Sequence, residues 1–149
     1  MELSEFLIKA KINTYAASGE GGEKILEDGS KELVYENGIR KYRDKYFGFK
    51  SFIGEEIVWE NGKAIWGMNY CGGIISEEVD VKQIYQFLQK AMKLVKIERP
   101  FRGPENFQEG EWDYTDKSDC SVNEFSGTES IYFQKKKVYE LKYIGGIVK

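Results

Sequence analysis

Asp44 and Glu55 are two acids that the local pattern can set side by side among large aromatic residues. Paired carboxylates in such a setting cannot both stay charged cheaply, so one takes up a proton or the two share a cation. The same pair could serve as general acid and base in hydrolysis of a glycosidic bond. Around it the sequence supplies Tyr42, Tyr46, Trp66 and Tyr70 as apolar walls with polar tips, Asn69 beside Tyr70, and Arg102 in a later turn whose guanidinium can meet an acid or an anionic ligand. These eight residues form the candidate ligand-binding set.

Their adjacency depends on strand register. Asn37-Gly38 and Asn61-Gly62 each lie between runs rich in aromatic and branched residues, and Asn-Gly readily takes positive φ at both centres of a type I′ hairpin turn. With Asn61-Gly62 as a two-residue turn, Trp59 faces Ala64, Ile57 faces Trp66, Glu55 faces Met68 and Ile53 faces Tyr70. A four-residue loop over Gly48–Ser51 then sets Asp44 opposite Glu55, with Arg43 meeting Glu56 on the other face. That other face also carries Gly54 opposite Asn69 and Glu56 opposite Gly67, a strip where a partner could approach the backbone. A loop of three or five residues would reverse the parity and part Asp44 from Glu55.

The elements that must hold these residues follow from periodicity. Leu3, Phe6, Leu7 and Ala10 make one face of an N-terminal helix, and residues 18–30 read as a polar, glycine-rich loop. Strands are expected over Lys31–Glu36, Arg40–Phe47, Phe52–Glu60 and Lys63–Cys71, a meander. Asp80 and Gln83 suit a capping box opening a helix from Val81 to Lys96, with Val79 and Ile84 as a hydrophobic staple. Phe101–Glu111 reads as a connector, followed by strands over Glu111–Lys117, Cys120–Phe125, Glu129–Gln134 and Val138–Ile144. The reading is a single α+β domain over 1–149: an antiparallel meander sheet with an N-terminal and a central helix packed on it and further strands at the C-terminus. No internal repeat is read beyond a pair of β-rich halves.

Composition narrows the chemistry. The 149 residues include no histidine, which removes Ser-His and Cys-His catalysis and histidine metal sites. Cys71 and Cys120 have no metal-ligand spacing, and two cysteines are too few for a secreted disulfide scaffold, so a cytoplasmic setting is expected, with no metal and no cofactor. A net charge of -3 disfavours direct nucleic-acid binding, and no run approaches the ~20 apolar residues of a membrane span.

The wording Tyr42-Arg43-Asp44-Lys45-Tyr46-Phe47-Gly48, then Phe52-Ile53-Gly54-Glu55-Glu56, Trp66-Gly67-Met68-Asn69-Tyr70, Phe101-Arg102-Gly103-Pro104 and Val138-Tyr139-Glu140-Leu141 resembles an uncharacterised bacterial domain family. The resemblance implies a small cytosolic domain of no named activity, sometimes following an Xre-type helix-turn-helix in longer regulators, and it supplies no functional residue. With no room here for a helix-turn-helix, the stand-alone form is expected. Three functions follow: a small-ligand-binding or sensory module built on the aromatic and carboxylate pocket, a carboxylate-based hydrolase, or an interaction module that docks a protein partner or a second copy as a homodimer.

Overall fold

The computed structural model describes residues 1–18, 22–119 and 121–149. Among them, nine strands form one antiparallel sheet: β1 (Lys24–Ile25), β2 (Lys31–Asn37), β3 (Arg40–Gly48), β4 (Ser51–Glu60), β5 (Lys63–Ile74), β6 (Asn106–Glu109), β7 (Trp112–Asp119), β8 (Glu124–Phe133) and β9 (Lys136–Ile147). The order is β1-β2-β3-β4-β5-β9-β8-β7-β6, so two meanders meet where β5 pairs with β9. Helix α1 (Leu3–Asn13), a single turn α2 (Tyr15–Ser18) and α3 (Val81–Met92) complete the α+β fold.

Both long helices lie on one face of the sheet because their apolar stripes have nowhere else to go. Phe6, Leu7 and Ala10 of α1 and Ile84, Phe87, Leu88 and Ala91 of α3 join one core with Tyr42, Val58, Trp66, Met68, Tyr114, Ile131 and Leu141 from the strands. Asp80 caps α3 by accepting from the Lys82 N–H at 3.2 Å, and Val79 packs against the core that contains Ile84. The helix ends at Met92, short of Lys96.

Two further differences concern strand ends. The segment Cys120–Gln134, expected as two strands, is one strand from Glu124, and Gly127 does not interrupt it; Cys120 lies outside the described residues. The polar loop of residues 18–30 contains the short β1, the connector Phe101–Glu111 contains β6, and Gly19, Glu20 and Gly21 lie outside the described residues.

The turns decide the register. Asn61 (φ 50°) and Gly62 (φ 80°) take positive φ together, as expected of a type I′ turn. The earlier turn is centred on Gly38-Ile39 instead of Asn37-Gly38, with Asn37 still paired to Arg40. Two one-residue shifts then change what faces the core. Beyond Trp59↔Ala64, β5 carries an extra residue, Ile65, so that Val58 meets Trp66, Glu56 meets Met68 and Gly54 meets Tyr70. Between β3 and β4, Gly48 pairs with Phe52, which sets Asp44 opposite Glu56 and Lys45 opposite Glu55. Since side chains alternate with period two, each shift turns β4 over relative to a neighbour.

The chain also repeats itself, which the sequence reading missed. Tyr42-Arg43-Asp44-Lys45 recurs as Tyr114-Thr115-Asp116-Lys117, Phe52-Ile53-Gly54-Glu55-Glu56 as Phe125-Ser126-Gly127-Thr128-Glu129, and Tyr70-Cys71-Gly72-Gly73-Ile74 as Tyr143-Ile144-Gly145-Gly146-Ile147. Geometry follows the wording. The turn at Gly38-Ile39 has its counterpart at Gly110-Glu111, and the one at Asn61-Gly62 at Gln134-Lys135, where both residues again have positive φ. The bulge beside Val58/Trp59 recurs beside Ile131/Tyr132. Even the helices match, Phe6-Leu7 with Ala10 against Phe87-Leu88 with Ala91.

Candidate functional site

The register places Asp44 and Glu56 side by side on the covered face, 6% and 1% exposed. Glu55 is on the opposite face, where it accepts from Arg43 at 2.9 Å. The two one-residue shifts thus exchange Glu55 for Glu56 and keep the juxtaposition of two acids. Gly54 moves with Glu56 to the covered face, so the strip expected from Gly54 and Gly67 together is not formed.

Each of the two acids is satisfied differently. Glu56 forms an ion pair with Lys11, which α1 delivers from one turn beyond Leu7, and Arg102 Nη1 stands 4.0 Å away. Asp44 instead accepts from the Tyr70 hydroxyl at 2.5 Å. Tyr70 reaches it by crossing Gly54, where a Cβ would lie 2.5 Å from the ring. Burial, and next the charge of Glu56, push the Asp44 carboxyl up to about 7. Burial likewise lowers Lys11, against the pull of Glu56.

The second half builds the same unit. Asp116 faces Glu129, and Tyr143 donates to Asp116 at 2.7 Å across Gly127. Asp116 is also pushed up to about 7, by burial first and Glu129 second. Glu129 accepts from both Tyr114 and Tyr139, at 2.5 and 2.8 Å, and from Arg102 through Nε and Nη2, at 3.2 and 3.0 Å. Burial acting alone would lower Arg102, but the carboxylate of Glu129 more than offsets it and holds the guanidinium charged. Arg99 Nη2 lies 3.5 Å from Asp116 Oδ2 and donates to the Asp116 carbonyl at 2.6 Å.

Among the described residues, four buried acids therefore stand among three cations, Lys11, Arg99 and Arg102. Asp44 is the one acid of the four with no cation within 4.0 Å among the described residues. It also faces the cavity, a space of about 30 Å³ lined by Tyr15, Tyr46, Phe49, Phe52, Tyr70, Tyr85, Leu88 and Arg102 together with Asp44. That is room for about two waters at its floor. Phe49, 46% exposed, stands at the rim, and the Lys31 ammonium already rests 5.6 Å from the Tyr46 ring and 5.7 Å from Phe49.

Of the eight candidates, Asp44, Tyr46, Tyr70 and Arg102 meet at this cavity. Tyr42 is buried behind them, its phenol held up by burial and by Glu56 and Asp44. Trp66 is buried elsewhere in the core, donating to the Val122 carbonyl at 3.1 Å and stacked on Phe125. Asn69 is exposed opposite Glu55. Lys11, Glu56, Phe52, Tyr85 and the whole second cluster went unread; the repeated Tyr-x-Asp-Lys and Phe-x-Gly-x-Glu wording is the signal that would have found the latter. Glu56 does not line the cavity, so the acid pair does not flank a common opening.

Among the described residues no group of three His, Cys, Asp or Glu side chains is arranged to hold a metal, and no helix is long and apolar enough to cross a membrane. No curated protein and no solved structure matches the chain. A family model matches from Asp44, the first acid of the site, to Val148, at the end of the second copy of the unit; the chain belongs to the family described as a domain of unknown function, DUF5680, matched over residues 44–148.

Proposed function

We propose that the domain is a small-ligand-binding module whose ligand carries a positive charge to Asp44. What supports this most is the charge imbalance of the buried cluster, in which the acid without an ion-pair partner is also the one facing an aromatic-walled cavity. An ionised carboxylate desolvated in this way gains most from a cation. Phe52 and Tyr85 line the cavity as aromatic walls for the same charge, as in aromatic cages that hold organic cations, and the Lys31 ammonium over Tyr46 and Phe49 shows that rings of this lining already receive a cation. Arg102 shares the lining, but its guanidinium is engaged by Glu129. A sensory role in the cytosol suits a ligand of this size and the free, exposed thiol of Cys71.

The test is thermal unfolding at pH 8 with small organic ammonium ions, benzylamine first, alongside benzamidine and phenylacetate. Saturating cation should raise the melting temperature, by an amount equivalent to about 2.7 kcal/mol at a hundredfold excess over Kd. Phenylacetate should not, and Asp44→Asn should abolish the shift. If no cation shifts wild type, or Asp44→Asn binds as tightly, the reading is wrong.

A further inference from the structure

The two copies of the Asp-Glu-Tyr unit are not filled alike, and the difference describes what the first one lacks. In the second copy, Asp116 has the guanidinium of Arg99 beside it, with Nη2 3.5 Å from Oδ2. Two residues along the chain, Phe101 stacks on Phe125 at 4.0 Å between centroids and stands 6.3 Å from Tyr143. The second copy thus carries, from one short segment, a planar cation beside its aspartate, hydrogen-bonded to the Asp116 carbonyl and the Ser118 hydroxyl and within ion-pair distance of the carboxylate, and a flat ring on its phenylalanine.

The first copy has the same receiving groups. Asp44 matches Asp116, Phe52 matches Phe125 and Tyr70 matches Tyr143; the Phe52–Tyr70 and Phe125–Tyr143 ring separations are both 6.0 Å. The cross-contacts also exchange as a two-fold relation demands, with Trp66 stacked on Phe125 and Tyr139 stacked on Phe52. Yet no cation stands within 4.0 Å of Asp44 among the described residues, and a cavity lies there. Tyr85 approaches Phe52 at 6.5 Å, tilted by 57°, and does not stack on it.

We infer that the cavity beside Asp44 takes a ligand with a planar, delocalised cationic head, a guanidinium or amidinium, joined to a flat apolar group, so that the ligand supplies in the first copy what Arg99 and Phe101 supply in the second. This rests on the cation-binding reading and sharpens it. A planar fork pairs with a carboxylate in a defined geometry and stacks on aromatic faces, whereas an ammonium is a strongly hydrated point charge. A floor with room for about two waters receives a head group, and the rest of the ligand lies along Phe49 and Phe52 at the rim. Such a ligand also equalises the buried charges, four acids against four cations.

Calorimetric titration of the full chain at pH 8 with benzamidine and with benzylamine separates the possibilities, because the two probes share a ring and a full positive charge and differ in the head group. Benzamidine should bind at least tenfold more tightly than benzylamine, and Asp44→Asn, shown folded by its cooperative unfolding, should weaken benzamidine at least tenfold. Benzylamine binding equally or more tightly overturns the planar-head inference and leaves the cation site standing. Failure of both probes to bind overturns both.

Discussion

Replacing Asp44 with asparagine should stabilise the protein, and only at the pH where the aspartate would be charged. The folded carboxyl titrates at about 7 against an ordinary 3.8. Between those values the folded state holds a proton that the unfolded chain has released, so raising the pH draws the wild type toward unfolding. The gap between those two values amounts to roughly 4 kcal/mol, absent below pH 4 and complete above pH 7. Asparagine is neutral throughout and still accepts from the Tyr70 hydroxyl through Oδ1. Exchanging an ionic for a neutral acceptor forfeits about 1 kcal/mol of that bond when the wild type is charged. The variant should therefore match wild type within about 1 kcal/mol at pH 4.5 and exceed it by roughly 2 to 3 kcal/mol at pH 8. Lys11, Glu56, Arg102, Tyr42 and Tyr70 surround position 44 in both proteins, so the difference between them reports the charge at that position. Urea unfolding at pH 4.5, 6, 7 and 8 measures it. A difference that stays constant across that range would refute the burial argument, and one that favours wild type increasingly toward pH 8 would show that Asp44 has a cation after all.

Lys11→Met places in α1 the residue type that α3 carries at the matching position, Met92, but leaves Glu56 buried with only Arg102 nearby, at 4.0 Å. It should cost about 3 to 5 kcal/mol in urea unfolding, and adding Glu56→Gln should recover most of the loss; an unchanged midpoint for the single variant would mean the pair contributes nothing. Gly54→Ala puts a Cβ 2.5 Å from the Tyr70 ring and 2.7 Å from the Tyr46 Cβ. The ring must move off Asp44, at about 1 to 3 kcal/mol of stability by the usual cost of overpacking. A variant as stable as wild type would show that Tyr70 can swing aside freely.

What the sequence disclosed and what it withheld divide along a physical line. The α3 cap at Asp80, the turn at Asn61-Gly62 and the stripe Ile84, Phe87, Leu88 are local, and each is legible because a few neighbouring residues determine it. The identity of the inward acid is not local. It depends on the extra residue Ile65 in β5 and on the Gly48↔Phe52 pairing, and no residue at either place announces a slip of one. The position of Lys11 required knowing how α1 lies on the sheet, which strand patterns do not encode. The repeat was the missing constraint. Read against its second copy, Glu56 stands where Glu129 stands in Phe-x-Gly-x-Glu, and Gly54, like Gly127, is the slot through which a tyrosine reaches an aspartate. A glutamate that recurs at the same offset from a glycine and a phenylalanine marks one face in both halves, whereas Glu55 has only Thr128 as its counterpart. Comparing the chain with itself thus picks Glu56 over Glu55 without coordinates, whereas the contrast between Asp116 with Arg99 beside it and Asp44 facing a cavity belongs to the three-dimensional structure alone.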